Sequence, residues 1–414
     1  MEKFKTQLLN YGDIFSNFCF LNNNGYDFDK SYECIAGIGA ESIVEFSGAN
    51  DFESLNKFKQ ENKDWIFGHV NYDLKNEIEV LSSHHFDGIG FPDFVFFVPM
   101  IVVIISQHEV SIGVLESDNS DEVFHLISST IPKENTSIIT NLKSRFSERE
   151  YLETVAQLQD HIARGDCYEV CLCQEFYAED ATISPISVFE KLNKLSPNPF
   201  SAFYKNDSAY LMCASPERFL KKQGKEIISQ PIKGTLRREN KSEEGDEKEI
   251  QTLRNDEKER AENTMIVDLV RNDLTKICEI GSVKVKEFLE IYSFPQVHQM
   301  ISTISGQLKD EISFGNILKA TFPMGSMTGA PKKRAMELIE KYERTKRGLF
   351  SGTVGYISPQ GNFDFNVVIR SIIYQAQQKY ISIQVGSAIT SKSIAQKEFE
   401  ECMTKLEAMK KALL

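Results

Sequence analysis

The stretch DEKERAENTMIVDLVRND, residues 256–273, has the clearest periodic pattern in the chain. Apolar residues recur in it at the spacing of an amphipathic helix, which buries one side and exposes the other. Extending this pattern in both directions predicts one long helix over residues 246–278. Glu259 and Glu262 lie three residues apart, so one face of that helix carries both carboxylates.

The C-terminal segment IAQKEFEECMTKLEAMKKALL, residues 394–414, repeats the arrangement. It predicts a second amphipathic helix, on which Glu398 and Glu401 again lie three residues apart. Two pairs of carboxylates on two helices suit Mg²⁺, which binds a few carboxylates and keeps several waters. Acidic residues at helical spacing are more often a solvated face, so the spacing alone leaves both interpretations open.

The composition is that of a globular protein and disfavours several partners. Hydrophobic residues make up 41% and charged residues 26% of the 414 residues, which is typical of globular domains. The net charge of −13 disfavours nucleic acid, which binds basic surfaces. No apolar run approaches the roughly 20 residues of a membrane span, so no membrane partner is expected. The N-terminus carries no secretory signal and the cysteines are scattered, so we expect reduced thiols in the cytoplasm.

The order of patterns along the chain predicts a mixture of strands and helices. Strand patterns dominate residues 1–115, with buried strands inside 94–105, and a helix and a connector are expected over 116–150. Ser147 with Glu150 three residues later forms a capping box, which predicts a helix start. Helices and strands then alternate to the end of the chain.

Two short motifs contain chemically reactive side chains. In GDCYEVCLC, residues 165–173, alternation places Cys167, Cys171 and Cys173 on one strand face with Glu169. Buried strand cysteines are favoured there over a zinc site, which would need further Cys or His ligands. In QPIKGT, residues 230–235, the Pro and Gly predict a turn, and the residues alone favour an exposed turn lysine at Lys233.

Seven segments together resemble the chorismate-utilising enzymes, in the order found in that family: SPERFL, PIKGT, residues 256–273, FPMGSMTGAPK, GTVGYIS, VVIRS and EFEECMTKLEAM. The resemblance covers nearly the whole chain and is densest after residue 147. It implies an α+β fold, with two large antiparallel sheets packed together and helices outside. It also implies one unit over 1–414, with a looser N-terminal part at 1–115 and the catalytic part at 147–414.

The resemblance assigns the acidic helices to a metal site. It implies that Glu262 and Glu401 bind Mg²⁺, while Glu259 and Glu398 orient metal-bound water. The ion would hold the ring carboxylate of chorismate and make the ring a better electron acceptor.

The resemblance also gives Lys233 a role. Aminodeoxychorismate synthases of this family carry lysine at its place, whereas anthranilate synthases carry alanine. The implied mechanism is covalent: the lysine amine attacks C2 of the ring as the C4 hydroxyl leaves, and ammonia then attacks C4 and expels the lysine. Only a neutral lysine can attack. Burial would lower the pKa of Lys233 and nearby carboxylates would raise it, and the sequence leaves that balance open.

Two further residues are expected to act in the reaction. The resemblance implies that Glu217 is the general acid, which protonates the departing hydroxyl and therefore needs a raised pKa. The alternative is an exposed glutamate at a strand end, paired with Arg218. His298 matches the cleft histidine of the family, in either a catalytic or an orienting role.

The substrate contacts implied by the resemblance lie on three segments. The expected contact residues are Gly234, Thr235, Phe350, Arg370, Gly386, Ser387 and Ala388. Arg370 would clamp a carboxylate in its planar fork. Phe350 stands where anthranilate synthases carry tyrosine, which is compatible with the aminodeoxychorismate branch. Ala388 departs from the commoner Gly-Ala-Gly pattern, and Glu169 stands where nitrogen-adding relatives more often carry glutamine.

The expected substrates are chorismate and ammonia, and the expected product is 4-amino-4-deoxychorismate for folate synthesis. The chain shows no cysteine in a glycine-rich nucleophile elbow, so we expect a separate glutamine amidotransferase subunit to supply ammonia. An anthranilate synthase component I, and a non-catalytic chorismate-binding scaffold, remain the alternatives.

Overall fold

The computed structural model describes residues 1–26, 32–46, 52–106, 109–116, 118–132, 141–238, 242–294 and 297–414. The predicted connector over 116–150 therefore lies partly outside the described residues. Within the described chain, no helix has the length and apolar character needed to cross a membrane. All eight cysteines are buried and free.

The α-helices of the described residues are α1 (Glu2–Gly12), α2 (Phe52–Glu61), α3 (Lys75–Glu79), α4 (Ser120–Ser129), α5 (Glu148–Ala163), α6 (Pro185–Leu195), α7 (Glu243–Arg254), α8 (Glu257–Ile277), α9 (Phe314–Thr321), α10 (Lys332–Tyr342) and α11 (Ala395–Leu413). Short 3₁₀ turns span Tyr72–Leu74 and Gly325–Met327. The capping box at Ser147 and Glu150 is present at the start of α5, as predicted.

The strands are β1 (Asn17–Asn22), β2 (Cys34–Ile38), β3 (Ser42–Phe46), β4 (Ile66–Val70), β5 (Phe94–Val98), β6 (Ile101–Ile105), β7 (Val110–Val114), β8 (Lys143–Ser144), β9 (Glu169–Ala178), β10 (Phe200–Asn206), β11 (Ala209–Ser215), β12 (Arg218–Gln223), β13 (Glu226–Gln230), β14 (Ile232–Arg237), β15 (Lys284–Ser293), β16 (Val297–Gln307), β17 (Gly329–Ala330), β18 (Thr353–Ile357), β19 (Phe363–Asn366), β20 (Ser371–Gln375) and β21 (Tyr380–Ile389).

These strands form two large antiparallel sheets, which confirms the predicted fold class. The first sheet runs β17-β9-β21-β20-β11-β10-β1-β2-β6-β7, with β8 also paired to β9. The second runs β14-β16-β13-β12-β19-β18-β4-β5-β3, with β15 also paired to β16. Both sheets take strands from the first 115 residues as well as from the later part of the chain.

Alternation along the strands builds two apolar layers. On β1, Phe18 and Phe20 join a cluster with residues of α1, α5, α6 and α11, so that cluster lies between the first sheet and its outer helices. Cys19 points the other way, into a cluster that also contains Phe67 and Phe365 of the second sheet. This inner cluster therefore holds the two sheets together, and burial of its aromatic side chains is a major source of stability.

Two local predictions were wrong. The helix predicted over 246–278 is two helices, because Asp256 leaves the helical conformation and caps α8 by accepting hydrogen bonds from the backbone N–H groups of Lys258 (2.9 Å) and Glu259 (3.0 Å). The turn predicted over 230–235 is wrong because Gln230 ends β13 and, after Pro231, the chain continues directly as strand β14 from Ile232. The pairing of β14 with β16 shifts register between Ile232 and Thr235, and Gly234 absorbs the irregularity with a φ of 95°, which favours glycine.

Candidate active site

A cavity of about 630 Å³ opens between the edges of the two sheets and the helices α8 and α11. It brings together nearly all of the predicted site residues: its walls include Glu217, Lys233, Gly234, Thr235, Glu259, Glu262, Phe350, Arg370, Gly386, Ser387, Ala388 and Glu401. Glu398 and His298 are not among the residues that line it. A cavity of this size suits a small organic substrate.

Lys233 points into this cavity and is not an exposed turn residue. Its side chain is 11% exposed, and its Nζ lies 2.8 Å from Oε1 of Glu169. The side chain of Asn263 donates a hydrogen bond to the Lys233 carbonyl, which fixes the backbone at the bulge (3.2 Å). Burial on its own lowers the pKa of Lys233, but the charges of Glu169 and Glu262 outweigh it, so the pKa is raised above its usual value.

Glu169 is the closest partner of that lysine and comes from the other sheet. It is fully buried at the start of β9, next to the short strand β17. Its Oε1 accepts from Lys233, and its Oε2 has no hydrogen-bond partner among the described residues. A buried carboxylate with one satisfied oxygen depends strongly on its cation, so the Glu169–Lys233 pair is a strong electrostatic contact between the sheets.

Glu217 is buried in the cavity wall with the raised pKa that a general acid needs. Burial raises its pKa to about 7, although the Ser326 hydroxyl, which donates to Oε1 over 2.6 Å, and the charge of Lys233 both oppose the shift. Arg218 does not neutralise it, because the Arg218 guanidinium forms a fork with Asp364, with both N–O distances 3.0 Å. The alternative of an exposed Glu217 paired with Arg218 is therefore wrong.

The four predicted metal-site carboxylates lie on two facing helices. Glu259 and Glu262 are on α8, and Glu398 and Glu401 are on α11. Burial raises the pKa of Glu262 to about 8 and also raises that of Glu259. Burial acts in the same direction on Glu401, but Lys405 outweighs it and its pKa falls below the usual value. Glu262 and Glu398 are buried, Glu259 is half-buried and Glu401 is exposed, and the two buried carboxylates require cations nearby.

Two lysines supply positive charge to this group. Lys258 Nζ lies 2.8 Å from Oε1 of Glu398 and 3.7 Å from Oε1 of Glu262. Lys405 Nζ lies 2.6 Å from Oε1 of Glu401.

Two buried oxygens in the group, Oε1 of Glu262 and Oε2 of Glu398, have no hydrogen-bond partner among the described residues. Because Mg²⁺ binds carboxylate oxygens, this oxygen-only set with unsatisfied atoms fits such an ion.

The predicted carboxylate-binding residues line the same cavity. Arg370 directly precedes β20 and has a φ of 51°, an uncommon conformation for a residue with a side chain, and such strain concentrates at functional sites. Gly386 lies where β21 pairs with Cys173 of β9, and a Cβ there would be 2.4 Å from the Cys173 Sγ. Its carbonyl accepts from Lys405 over 2.7 Å, and the hydroxyl of Ser387 contacts Tyr151 over 2.9 Å.

His298 is placed outside the cavity wall. It is fully buried on β16, and its neighbours Val297 and Gln299 line the cavity instead, because successive strand residues face opposite sides. Its Nε2 lies 3.6 Å from Asp246 and 3.5 Å from Glu249, a group whose geometry could hold a metal ion, although Arg238 already pairs with Asp246. A catalytic role for His298 stays a prediction, and it would require the imidazole to reach the cavity.

Sequence reasoning missed several residues that shape the site. Lys258, Lys405, Asn263 and Ser326 all contact predicted site residues. The two lysines carry a usable signal, since Lys258 precedes Glu262 by four residues and Lys405 follows Glu401 by four, the spacing of helical ion pairs. Ser326 carried no local signal, because its contact with Glu217 spans 109 residues.

Comparisons with known proteins point to one family. A family model described as chorismate binding enzyme matches residues 18–411. Aminodeoxychorismate synthase component 1 of Escherichia coli (strain K12) is 34% identical over 348 residues, which cover 84% of this chain and 76% of that protein. Anthranilate synthase component 1 of Aquifex aeolicus is 37% identical over 273 residues, 66% of this chain and 54% of that protein. Anthranilate synthase component I from Streptococcus pneumoniae TIGR4 superposes with a TM-score of 0.80 at 27% identity, covering 93% of both chains.

Proposed function

The chain belongs to the chorismate-binding enzyme family, and from that premise we propose that it is an aminodeoxychorismate synthase component I. In this role it converts chorismate and ammonia to 4-amino-4-deoxychorismate through a covalent adduct with Lys233. Relatives named for both amination reactions match the chain, so family membership alone does not fix the position of amination. The observation that carries the proposal is Lys233 itself, an amine that faces the cavity between two buried glutamates.

The first half of the proposed reaction uses three side chains. Lys233 gives up a proton to Glu169, whose Oε1 lies 2.8 Å from Nζ. The Nζ electron pair then forms a bond to C2 of chorismate, the two ring double bonds shift, and the C4–O bond breaks. Glu217 donates its proton to the departing oxygen, which leaves as water. A pKa of about 7 lets Glu217 hold that proton near neutral pH.

The second half reverses the proton transfers. Ammonia attacks C4, the double bonds shift back, and the C2–N bond breaks to release the Lys233 amine. Glu169 returns its proton to that amine, and Glu217 takes one from the new ammonium group. Both carboxyl groups thus end as they began, and the sum is chorismate plus ammonia giving aminodeoxychorismate plus water. We propose that a separate glutamine amidotransferase subunit supplies the ammonia, as the component naming of the relatives suggests.

The acidic helices would hold Mg²⁺ through Glu262 and Glu401, with Glu259 and Glu398 accepting hydrogen bonds from its waters. When bound, the ion neutralises the ring carboxylate of the substrate and withdraws electron density from the ring. Arg370 and the 386–388 segment would hold the remaining carboxylate and orient C2 towards Lys233. Their positions around one cavity support this arrangement.

The test is product identification with the full chain, chorismate, ammonium and Mg²⁺. We expect a product with the enolpyruvyl group retained and the C4 hydroxyl replaced by an amino group, seen by mass spectrometry. Anthranilate with free pyruvate would assign the chain to the other amination reaction. A scaffold would yield neither product, and its chorismate binding would not depend on chelation of divalent ions.

A further inference from the structure

Lys258 occupies a position for which the function proposed above assigns no task. It lies at the start of α8, and its ammonium group reaches across to α11. Its Nζ hydrogen-bonds Oε1 of Glu398 over 2.8 Å and lies 3.7 Å from Oε1 of Glu262. It therefore joins the two helices through one carboxylate of each pair.

The surroundings of Lys258 favour a charged ammonium group. Its Nζ lies within 3.7 Å of carboxylate oxygens of both Glu262 and Glu398, so an ammonium group there interacts with two negative charges. Glu398 is 2% exposed and Glu262 is 6% exposed, so neither can rely on water for solvation. A cation at this point thus stabilises the two carboxylates when no other cation is present.

The same two carboxylates each retain an unsatisfied oxygen. Oε1 of Glu262 and Oε2 of Glu398 lack hydrogen-bond partners in the part of the chain that the structure describes. One ammonium group cannot meet all the acceptor positions of these glutamates, and its 3.7 Å distance to Glu262 is too long for a hydrogen bond. The arrangement neutralises charge without completing the hydrogen bonds.

We propose that Lys258 is a built-in counter-ion that competes with the divalent cation for the glutamates of α8 and α11. The ammonium group holds the two helices together in the metal-free protein and moves away when Mg²⁺ binds. Lys258 thereby weakens metal binding and keeps the empty site folded. This inference rests on the metal site of the proposed function. It predicts that removal of Lys258 strengthens Mg²⁺ binding, whereas removal of a lysine that helps to bind the metal would weaken it.

The experiment compares Lys258→Gln, Lys258→Arg and the wild type in the full chain, with Mg²⁺ titrated by calorimetry in the absence of chorismate. We expect Lys258→Gln to bind Mg²⁺ at least about tenfold more tightly than the wild type. In the wild type the ion must displace the hydrogen bond between Lys258 and Glu398, and a hydrogen bond between charged groups contributes at least about tenfold in an equilibrium constant. Lys258→Arg keeps the charge and should bind near the wild-type affinity. Lys397→Gln is the matched control, since it removes an exposed lysine beside Glu398 and should change little.

Thermal unfolding gives a second readout that does not depend on activity. Lys258→Gln should have a lower Tm than the wild type without metal, and a larger rise in Tm when Mg²⁺ is added. Unchanged or weaker Mg²⁺ binding by Lys258→Gln, with normal binding by the wild type, would overturn the counter-ion role and leave the metal site intact. A wild type that binds no Mg²⁺ would overturn both the metal site and this inference.

Discussion

The hydrogen bond from Ser326 to Glu217 allows the general acid to be tested without removing it. We predict that Ser326→Ala raises the pKa of Glu217, because the hydroxyl donates to its carboxylate over 2.6 Å and stabilises the charged form. A hydrogen bond to a charged group contributes about 1.5–3 kcal/mol. Since one pKa unit corresponds to about 1.4 kcal/mol, the expected shift is about one to two units.

The sign of the effect on rate follows from the role of Glu217. A general acid works while protonated, so the wild-type rate should fall as pH rises through about 7, the pKa that burial gives Glu217. In Ser326→Ala this fall in rate should move to pH 8 or above. The rate of the variant relative to the wild type should therefore be higher in alkaline buffer than at neutral pH. Lys233 gives the opposite slope, because it must be neutral to attack, so the two groups can be told apart.

The assay is the rate of chorismate amination against pH, with the concentration of free ammonia held constant at each pH. Ser229→Ala serves as the control, since it removes a similarly buried hydroxyl from β13 rather than the one that donates to Glu217. The pH at which the amination rate of Ser229→Ala falls to half of its maximum should match that of the wild type. If this pH for Ser326→Ala coincides with the wild-type value, Glu217 is not the group whose protonation limits the rate.

Two further predictions concern the nucleophile and the metal. Lys233→Ala should lower the rate of 4-amination by at least about 10³-fold, the scale of losing a nucleophile. The variant should also lack the mass increase that the wild type shows with chorismate when ammonia is withheld. Product formation at the wild-type rate by this variant would refute the covalent route. Glu262→Gln and Glu401→Gln should each weaken Mg²⁺ binding by at least about 10–100-fold without unfolding the chain, measured by titration and by thermal unfolding, and an unchanged Mg²⁺ dependence in both would refute the site.

Local sequence patterns predicted the helices that carry the acidic residues, whereas the role of those residues came from the resemblance to a family. Ser147 and the carboxylate spacings of α8 and α11 depend only on neighbours within one or two turns, and these features are present in the structure. The sheet order could not be predicted in the same way. β1 pairs with β10, which brings Asn17 opposite Asn206, and no local pattern specifies such a pairing.

The errors have a common physical origin, which is that tertiary contacts override local preference. Pro231 and Gly234 favour a turn, yet pairing of β14 with β16 imposes a strand and confines the glycine to a bulge. The sequence could not show which face of β16 carries His298, because that depends on how β16 pairs with β14 and β15. The balance of burial and charge at Lys233 was also undecidable, since Glu169 lies 64 positions away.

The Glu169–Lys233 pair leads to a last prediction, because it sets the protonation state of the nucleophile. Glu169 contributes a charge and a hydrogen bond that raise the pKa of Lys233, so Glu169→Gln should lower it. Loss of an ionic hydrogen bond of about 1.5–3 kcal/mol corresponds to about one to two pKa units. At pH 9, which is below the pKa of Lys233, each unit by which that pKa falls gives tenfold more neutral amine. Lys233 in Glu169→Gln should then react at least about tenfold faster than in the wild type with a small acylating reagent.

Competitive labelling followed by peptide mass spectrometry measures this rate, with the exposed Lys397 as an internal reference that should not change. Glu262 also raises the pKa of Lys233, so the lysine should stay protonated at neutral pH even in Glu169→Gln. The variant would therefore have a more reactive lysine but no carboxylate to accept its proton. Equal labelling of Lys233 in variant and wild type would mean that Glu169 does not control the nucleophile, and the proton route through it would fail.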